Sequence, residues 1–231
     1  MTVQNRDSES GGLTIAMDGP AGAGKSTLAK IVAQRLGYLY IDTGSMYRAL
    51  ALKAHRTGIP ITDDDALTAM AAATSVRLER SATGGNRVFL DGVEVTAELR
   101  EPDVDRIVAR VSAAKGLRKY MIQIQREIAR NGGIVMDGRD IGSYVLPDAD
   151  VKFFITASLR QRALRRQEQL AQTGSAVDLS DLQAEIARRD AQDMNKGEHS
   201  LIQTPDAILI DTTGRTVDDV VGEILSHCRR R

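Results

Sequence analysis

The sequence predicts an α/β fold, a doubly wound five-stranded parallel sheet of the phosphate-loop type, on three observations. Five short runs are apolar on both faces: LTIAMD, YLYID, GGIVMDG, VKFFIT and DAILID. The stretches between them carry apolar residues at threefold and fourfold spacing, as helices that cover a sheet do. A glycine-rich turn joins the first run to the first helix. Strands sandwiched between helix layers lose the polar-apolar alternation of a half-exposed sheet, so runs apolar on both faces point to parallel pairing.

Taken in order, residues 1–12 are polar and end in glycine, so they read as a flexible tail with the folded chain starting at Leu13. LTIAMD, the helix STLAKIVAQRLG, YLYID and a helix over about residues 44–56 give a β-α-β-α start. Residues 60–100 break this beat. They hold a helical segment, DDDALTAMAAA, and then VRLER, NRVFLDG and VEV, which read as short antiparallel strands around turns at Gly84-Gly85 and Asp91-Gly92. This is a small α+β insertion. Helices over 102–114 and 117–130 lead to GGIVMDG, and VKFFIT follows. Residues 158–196 form a second departure, two helices (158–172 and 180–192) joined by Thr-Gly-Ser-Ala and bearing Arg160, Arg162, Arg165, Arg166, Arg188 and Arg189. They read as a mobile, arginine-rich lid. DAILID and a helix over 216–228 complete a core made of residues 13–59, 101–157 and 197–231.

At 231 residues and 42% hydrophobic composition the chain buries a full core. Lys+Arg and Asp+Glu both number 31, so there is no net basic field to collect a nucleic-acid polymer, and small-molecule partners are expected. The single cysteine, Cys228, allows no intramolecular disulfide. No cationic start leads into an apolar run, and no apolar stretch is long enough to span a membrane. A cytoplasmic monomer with no membrane association is the expectation.

The glycine-rich turn carries the chemistry. Gly19, Pro20, Ala21, Gly22, Ala23, Gly24, Lys25 and Ser26 fit G-x-x-x-x-G-K-[ST] between a strand and a helix, and Thr27 follows. Glycines at 19, 22 and 24 let the backbone turn its N–H groups inward, where they and the helix N-terminus meet phosphate oxygens. Lys25 adds a point charge at the β- and γ-phosphates, and Ser26 offers a hydroxyl to Mg²⁺. ATP with Mg²⁺ is the implied ligand, and transfer of its terminal phosphoryl group to a small acceptor the implied chemistry. A carboxylate completes such a site. Asp137 in MDGRD and Asp18 before the loop are both candidates, with Asp137 approaching the metal indirectly.

Two stretches imitate a regulatory GTPase: residues 195–198, N-K-G-E, look like a guanine reader, and residues 211–214, D-T-T-G, fit a switch loop. The first follows a helix where a guanine reader follows a strand, and the two stand in the reverse order, so this reading is set aside. An acceptor grip supports the transferase reading instead. T-G-S-M-Y-R after YLYID places hydroxyls at a helix start with Arg48 one turn inside, and Arg139 and Arg118 lie on other elements.

With IAMDGPAGAGKST, IDTGSMYR, MDGRDIG, VLPDADVKFFI and RRDAQDMNK in place, the chain resembles the bacterial cytidylate kinases from Leu13 to the last helix. The resemblance implies ATP as donor, CMP or dCMP as acceptor, and an acceptor-binding role for the insertion at 60–100. It implies that Arg48, Arg139 and the basic residue at 196 hold the CMP phosphate, that Asp193 holds the sugar, and that Arg118 and Asp140 read cytosine. Thr43 and Tyr47 line the same pocket. The sequence departs from the family at two places: R-D-x-x-D-x-x-R ends here in Lys196, and a base-contacting serine is replaced by Ala109. Weaker acceptor binding or relaxed base choice is expected from these. Phosphoryl transfer asks for positioning and charge neutralisation, so no general base is assigned. Lys25, Arg139 and the lid residues Arg162, Arg166 and Arg188 are expected to share that work, with Arg165 beside them.

Overall fold

The computed structural model describes residues 11–81, 85–172, 174, 176–195 and 197–230. Along the chain run β1 (Gly12–Asp18), α1 (Lys25–Leu36), β2 (Leu39–Asp42), α2 (Thr43–Thr57), α3 (Asp64–Ala72), β3 (Val76–Arg80), β4 (Asn86–Leu90) and β5 (Val93–Glu94). Then come α4 (Pro102–Val111), α5 (Lys115–Ala129), β6 (Gly132–Asp137), β7 (Val151–Thr156), α6 (Leu159–Ala171), α7 (Leu179–Met194), β8 (Ile208–Asp211) and α8 (Val217–Cys228).

The five strands expected of the core form one parallel sheet in the order β2-β6-β1-β7-β8. Ile15, Ala16 and Met17 of β1, and Phe153 and Ile155 of β7, are buried, as strands covered on both faces require. The edge strand β8 differs, with Ile210 buried and Leu209 53% exposed. Registers bring the carboxyl ends to one edge of the sheet. Asp18 of β1 stands opposite Phe154, and Thr156 of β7 opposite Asp211 of β8. In open parallel sheets ligands bind beyond this edge.

The described chain forms two compact units, one made from residues 13–36 and 135–230, the other from residues 37–134 with Gly11 and Gly12. In the first, α6 and α7 pair around Ala163, Leu182 and Ile186, with Leu159, Leu170, Val177 and Leu179 packed against them. Ser158 caps α6 by accepting the Gln161 N–H, and Asp178 caps α7 by accepting that of Ser180. Of the four-residue link expected between these helices, Thr173 and Ser175 lie outside the described residues.

In the second unit Asp42 caps α2, accepting the Ser45 N–H at 2.9 Å, and Gly58 ends it with φ 68°. The expected insertion strands are there as an antiparallel sheet, β3-β4-β5. Val76, Leu78, Val88 and Leu90 point inward. On the other face the guanidiniums of Arg77 and Arg87 lie 4.3 and 5.0 Å from the Phe89 ring. Asp91 and Gly92 both take positive φ, 49° and 87°, which is the two-residue hairpin turn their sequence calls for. Gly84, half of the other expected turn, lies outside the described residues. The compact unit reaches past residues 60–100 to take in α2, α4 and α5. Among the described residues no helix is long and apolar enough to cross a membrane.

Candidate active site

β1 delivers the phosphate loop at its carboxyl end. Gly19, Gly22 and Gly24 all have positive φ, and a Cβ at Gly19 would stand 1.9 Å from the carbonyl oxygen of Ile155, so only glycine fits there. Three of the loop's carbonyls are already taken. Arg162 donates to the carbonyl of Ala21 at 3.2 Å, the Thr212 hydroxyl donates to that of Ala23 at 3.1 Å, and Lys25 reaches back to that of Pro20 at 2.8 Å. With its oxygens so occupied, the loop offers its N–H groups to an anion.

Lys25 is buried as the first residue of α1. Desolvation, and after it the charge of Arg139, push its ammonium down from 10.5 to about 7, against the pull of Asp137, Asp18 and Asp193. Two cations that disfavour one another in a buried place gain from a polyanion that neutralises both. The next residue, Ser26, donates its hydroxyl to Asp137 Oδ2 at 2.7 Å. Asp18, the other carboxylate expected near the metal, is turned to the backbone instead, where it accepts the N–H groups of Ile141 at 2.9 Å and Gly142 at 2.7 Å. Burial raises Asp18 from 3.8 to about 6 despite those two amides, with the Asp140 charge adding to the rise. The strand that leads into the phosphate loop thus braces the loop that carries Arg139 and Asp140.

Arg139 and Asp140 are each held by the stretch that ends α7. Arg139 Nε donates to Asp193 Oδ2 at 2.8 Å. Asp140 is buried, and its Oδ2 lies 3.1 Å from His199 Nδ1. Arg139 and Asp193 are therefore brought together, with Asp140 next to Arg139 in the chain, while Lys196 lies outside the described residues.

The lid arginines divide. Arg162 is buried, pairs with Asp190 at 2.7 Å and donates to the Ala157 carbonyl at 3.0 Å as well as to the phosphate loop. Arg165 donates to the hydroxyl and carbonyl of Thr212 at 3.0 and 2.9 Å. Arg166 turns instead to Gln169 along its own helix at 3.0 Å, and Arg188 is exposed on α7. One step along a helix is a rotation of about 100°, so Arg165 and Arg166 cannot both face the loop.

The other unit holds the remaining expected residues. Thr43 and Tyr47 are buried on α2. The Arg118 guanidinium lies 5.6 Å from the centre of the Tyr47 ring and donates to the Ser112 carbonyl at 3.2 Å. Arg48 is paired with Asp105 of α4 at 2.8 Å.

Residues 15–230 match the family model described as cytidylate kinase. This chain belongs to the cytidylate kinase family. The cytidylate kinase of Symbiobacterium thermophilum is 66% identical over 218 residues, covering 94% of this chain and 96% of that protein. That of Desulfitobacterium hafniense is 48% identical over 214 residues, 93% of this chain and 91% of that protein. A crystal structure of an uncharacterized protein from Eubacterium ventriosum shares the fold, with a TM-score of 0.55 at 13% identity over 95% of this chain and 99% of that one.

Within this cytidylate kinase fold, Asp190, Thr212, Tyr144 and His199 were not among the residues expected from sequence. Thr212 belongs to the D-T-T-G stretch that resembles a switch loop, and its hydroxyl sits against the phosphate loop. Asp211 in that stretch closes its own turn by accepting the Thr213 N–H at 2.8 Å. Asp190 stands in the R-D-x-x-D run and Thr212 in D-T-T-G, but neither pattern names the partner its side chain takes, and no local pattern marks Tyr144 or His199.

Proposed function

We propose that this chain transfers the γ-phosphoryl group of ATP to CMP or dCMP, giving ADP and CDP or dCDP. The observation that carries the reading is the brace from Asp18 to Ile141 and Gly142, which ties the phosphate loop to the Arg139-Asp140 turn in a chain 66% identical to a cytidylate kinase. An oxygen of the acceptor phosphate attacks the γ-phosphorus as the bond to the β–γ bridging oxygen breaks, and ADP leaves with that oxygen. The N–H groups of residues 19 and 21–24 and the ammonium of Lys25 hold the β- and γ-phosphates. Arg139, Arg48 and Lys196 neutralise the acceptor phosphate, Asp193 takes the sugar, and Arg118 and Asp140 read the base beside Thr43 and Tyr47. Arg162 and Arg165 keep the loop's carbonyls turned away from the anion.

The hydroxyl of Ser26 and the carboxylate of Asp137 are the oxygen ligands a hard divalent cation takes alongside phosphates and water, so they fit Mg²⁺. When bound, Mg²⁺ neutralises charge across the β- and γ-phosphates. Balanced charge and a single cysteine support a cytoplasmic monomer acting on free nucleotides.

A coupled ADP-release assay across the nucleoside monophosphates, with ATP and GTP as donors, tests the proposal. CMP and dCMP should stimulate ADP release most. Release that no pyrimidine monophosphate stimulates would overturn it.

A further inference from the structure

We infer that His199 is a positioning residue for base recognition, holding the Asp140 carboxylate in the orientation that meets the acceptor. The inference rests on the reading that Asp140 contacts the base. His199 Nδ1 lies 3.1 Å from Asp140 Oδ2, and the two side chains are 19% and 6% exposed. An ionised carboxylate only accepts, so Nδ1 carries the proton and donates it. The imidazole is fixed by a second contact. It stands edge-on to Tyr144, with ring centroids 4.2 Å apart and planes at 68°. Tyr144 belongs to the π-helical turn Ile141–Val145, which starts from Asp140, whose carbonyl accepts the N–H groups of Tyr144 and Val145 at 3.0 and 2.9 Å. His199 is thus wedged between the carboxylate that precedes a turn and an aromatic ring within it. Its Nε2 faces Glu198 at 3.8 Å.

The segment that carries His199 is itself anchored. The Leu201 N–H donates to the Asp193 carbonyl at 2.8 Å, and the Ser200 N–H to that of Gly197 at 3.1 Å. Asp193 in the last turn of α7 and His199 beyond that helix thus hold two consecutive residues, Arg139 and Asp140. An aspartate side chain has two soft torsions, and a donor on a packed ring removes that freedom before the acceptor arrives. The imidazole and the carboxylate belong to separate motifs, so only the folded chain brings the pair to light.

Three variants separate the hydrogen bond from the ring. His199→Phe keeps a ring against Tyr144 and loses the donor, His199→Asn places an amide donor near the Nδ1 position, and His199→Gln places one near Nε2. The Phe and Gln variants should lower kcat/KM for CMP on the order of tenfold and narrow the CMP over UMP ratio by a similar factor. The Asn variant should recover most of both, with the KM for ATP unchanged in all three. In an Asp140→Ala background, His199→Phe should add nothing, because its effect passes through Asp140. A folded Phe variant with the wild-type ratio, or one equally impaired with and without Asp140, overturns the inference. Should the Phe variant fail to fold, the Gln variant decides in the same way. If Asp140→Ala itself keeps the CMP preference, the base-reading role falls and this inference with it. If Asp140→Ala loses that preference while His199→Phe retains it, this inference falls alone.

Discussion

The Ser26 hydroxyl donates to Asp137 Oδ2 across 2.7 Å, joining the second residue of α1 to the last residue of β6. Both groups are hard oxygen donors, and the bond between them sets them side by side for a cation they would share with phosphates. Asp137→Asn keeps the shape and one acceptor oxygen but drops the charge. It should lower kcat about a hundredfold and raise the Mg²⁺ concentration needed for half-maximal rate, with little change in Tm. A Mg²⁺ titration of ADP release checks this; an unaltered titration curve in the variant would move the cation's protein partner elsewhere.

Lys25 is buried beside Arg139, and its ammonium is depressed chiefly by desolvation. Its retention at such a place makes sense if triphosphate charge compensates it. Lys25→Ala should therefore cost turnover by about two to three orders of magnitude. The fold should survive, since the side chain bonds only to a carbonyl of its own loop among the described contacts. Activity near wild type in a variant with native circular dichroism would end the assignment.

What could be read from sequence was what is local. The glycine loop, the strand ends at Asp137 and Asp211 and the turn at Asp91-Gly92 each follow from a few adjacent residues, and each is found in the structure. Arg139 and Asp140 could be singled out because they adjoin a strand end. The partners that hold these groups were not legible. Asp190 reaches Arg162 from the neighbouring helix, Thr212 reaches the phosphate loop from the turn after β8, and His199 reaches Asp140 from beyond α7. Burial forces such partnerships, because a polar group withdrawn from water must find its bond wherever the fold supplies one. Arg166 and Arg188 show the converse: helical periodicity alone did not say which face of α6 or α7 meets the loop.

Asp18 gives the protein a pH signature. Desolvation lifts its carboxyl from 3.8 to about 6, so between those values the folded chain holds a proton that the unfolded chain has released. Its contribution to stability is full below about 4 and is lost as pH rises through about 6, a loss of about 3 kcal/mol. Asp18→Asn cannot ionise, and its amide can accept only one of the two N–H groups of Ile141 and Gly142. The variant should lose this pH dependence while being less stable than wild type at acid pH. Denaturant midpoints measured from pH 4.5 to 7.5 test it; parallel curves for the two proteins would show that Asp18 is not the titrating group.

Base choice is the sharpest test of the proposed acceptor site, in which Asp140 is the residue proposed to read the base. Cytosine presents an amino donor at N4 with acceptors at N3 and O2, whereas uracil presents an acceptor at O4 and a donor at N3. A carboxylate accepts from the cytosine amino group but meets the uracil oxygen with repulsion, so one residue both attracts the right base and rejects the wrong one. A guanidinium can donate to N3 or O2, the part proposed for Arg118. The alternative role for Asp140, capping the turn that follows, finds no support, because its side chain makes no capping hydrogen bond to that turn. A polar mismatch in a closed pocket costs several kcal/mol, enough for discrimination of about a thousandfold. Asp140→Ala should therefore bring the ratio of kcat/KM for CMP over UMP down toward one while leaving the KM for ATP nearly unchanged. A mere cap would instead lower Tm and leave the ratio as it was. Steady-state kinetics on both acceptors, paired with a thermal melt of the same variant, separates the two, and a folded variant that still strongly prefers CMP places the reading of the base on another residue.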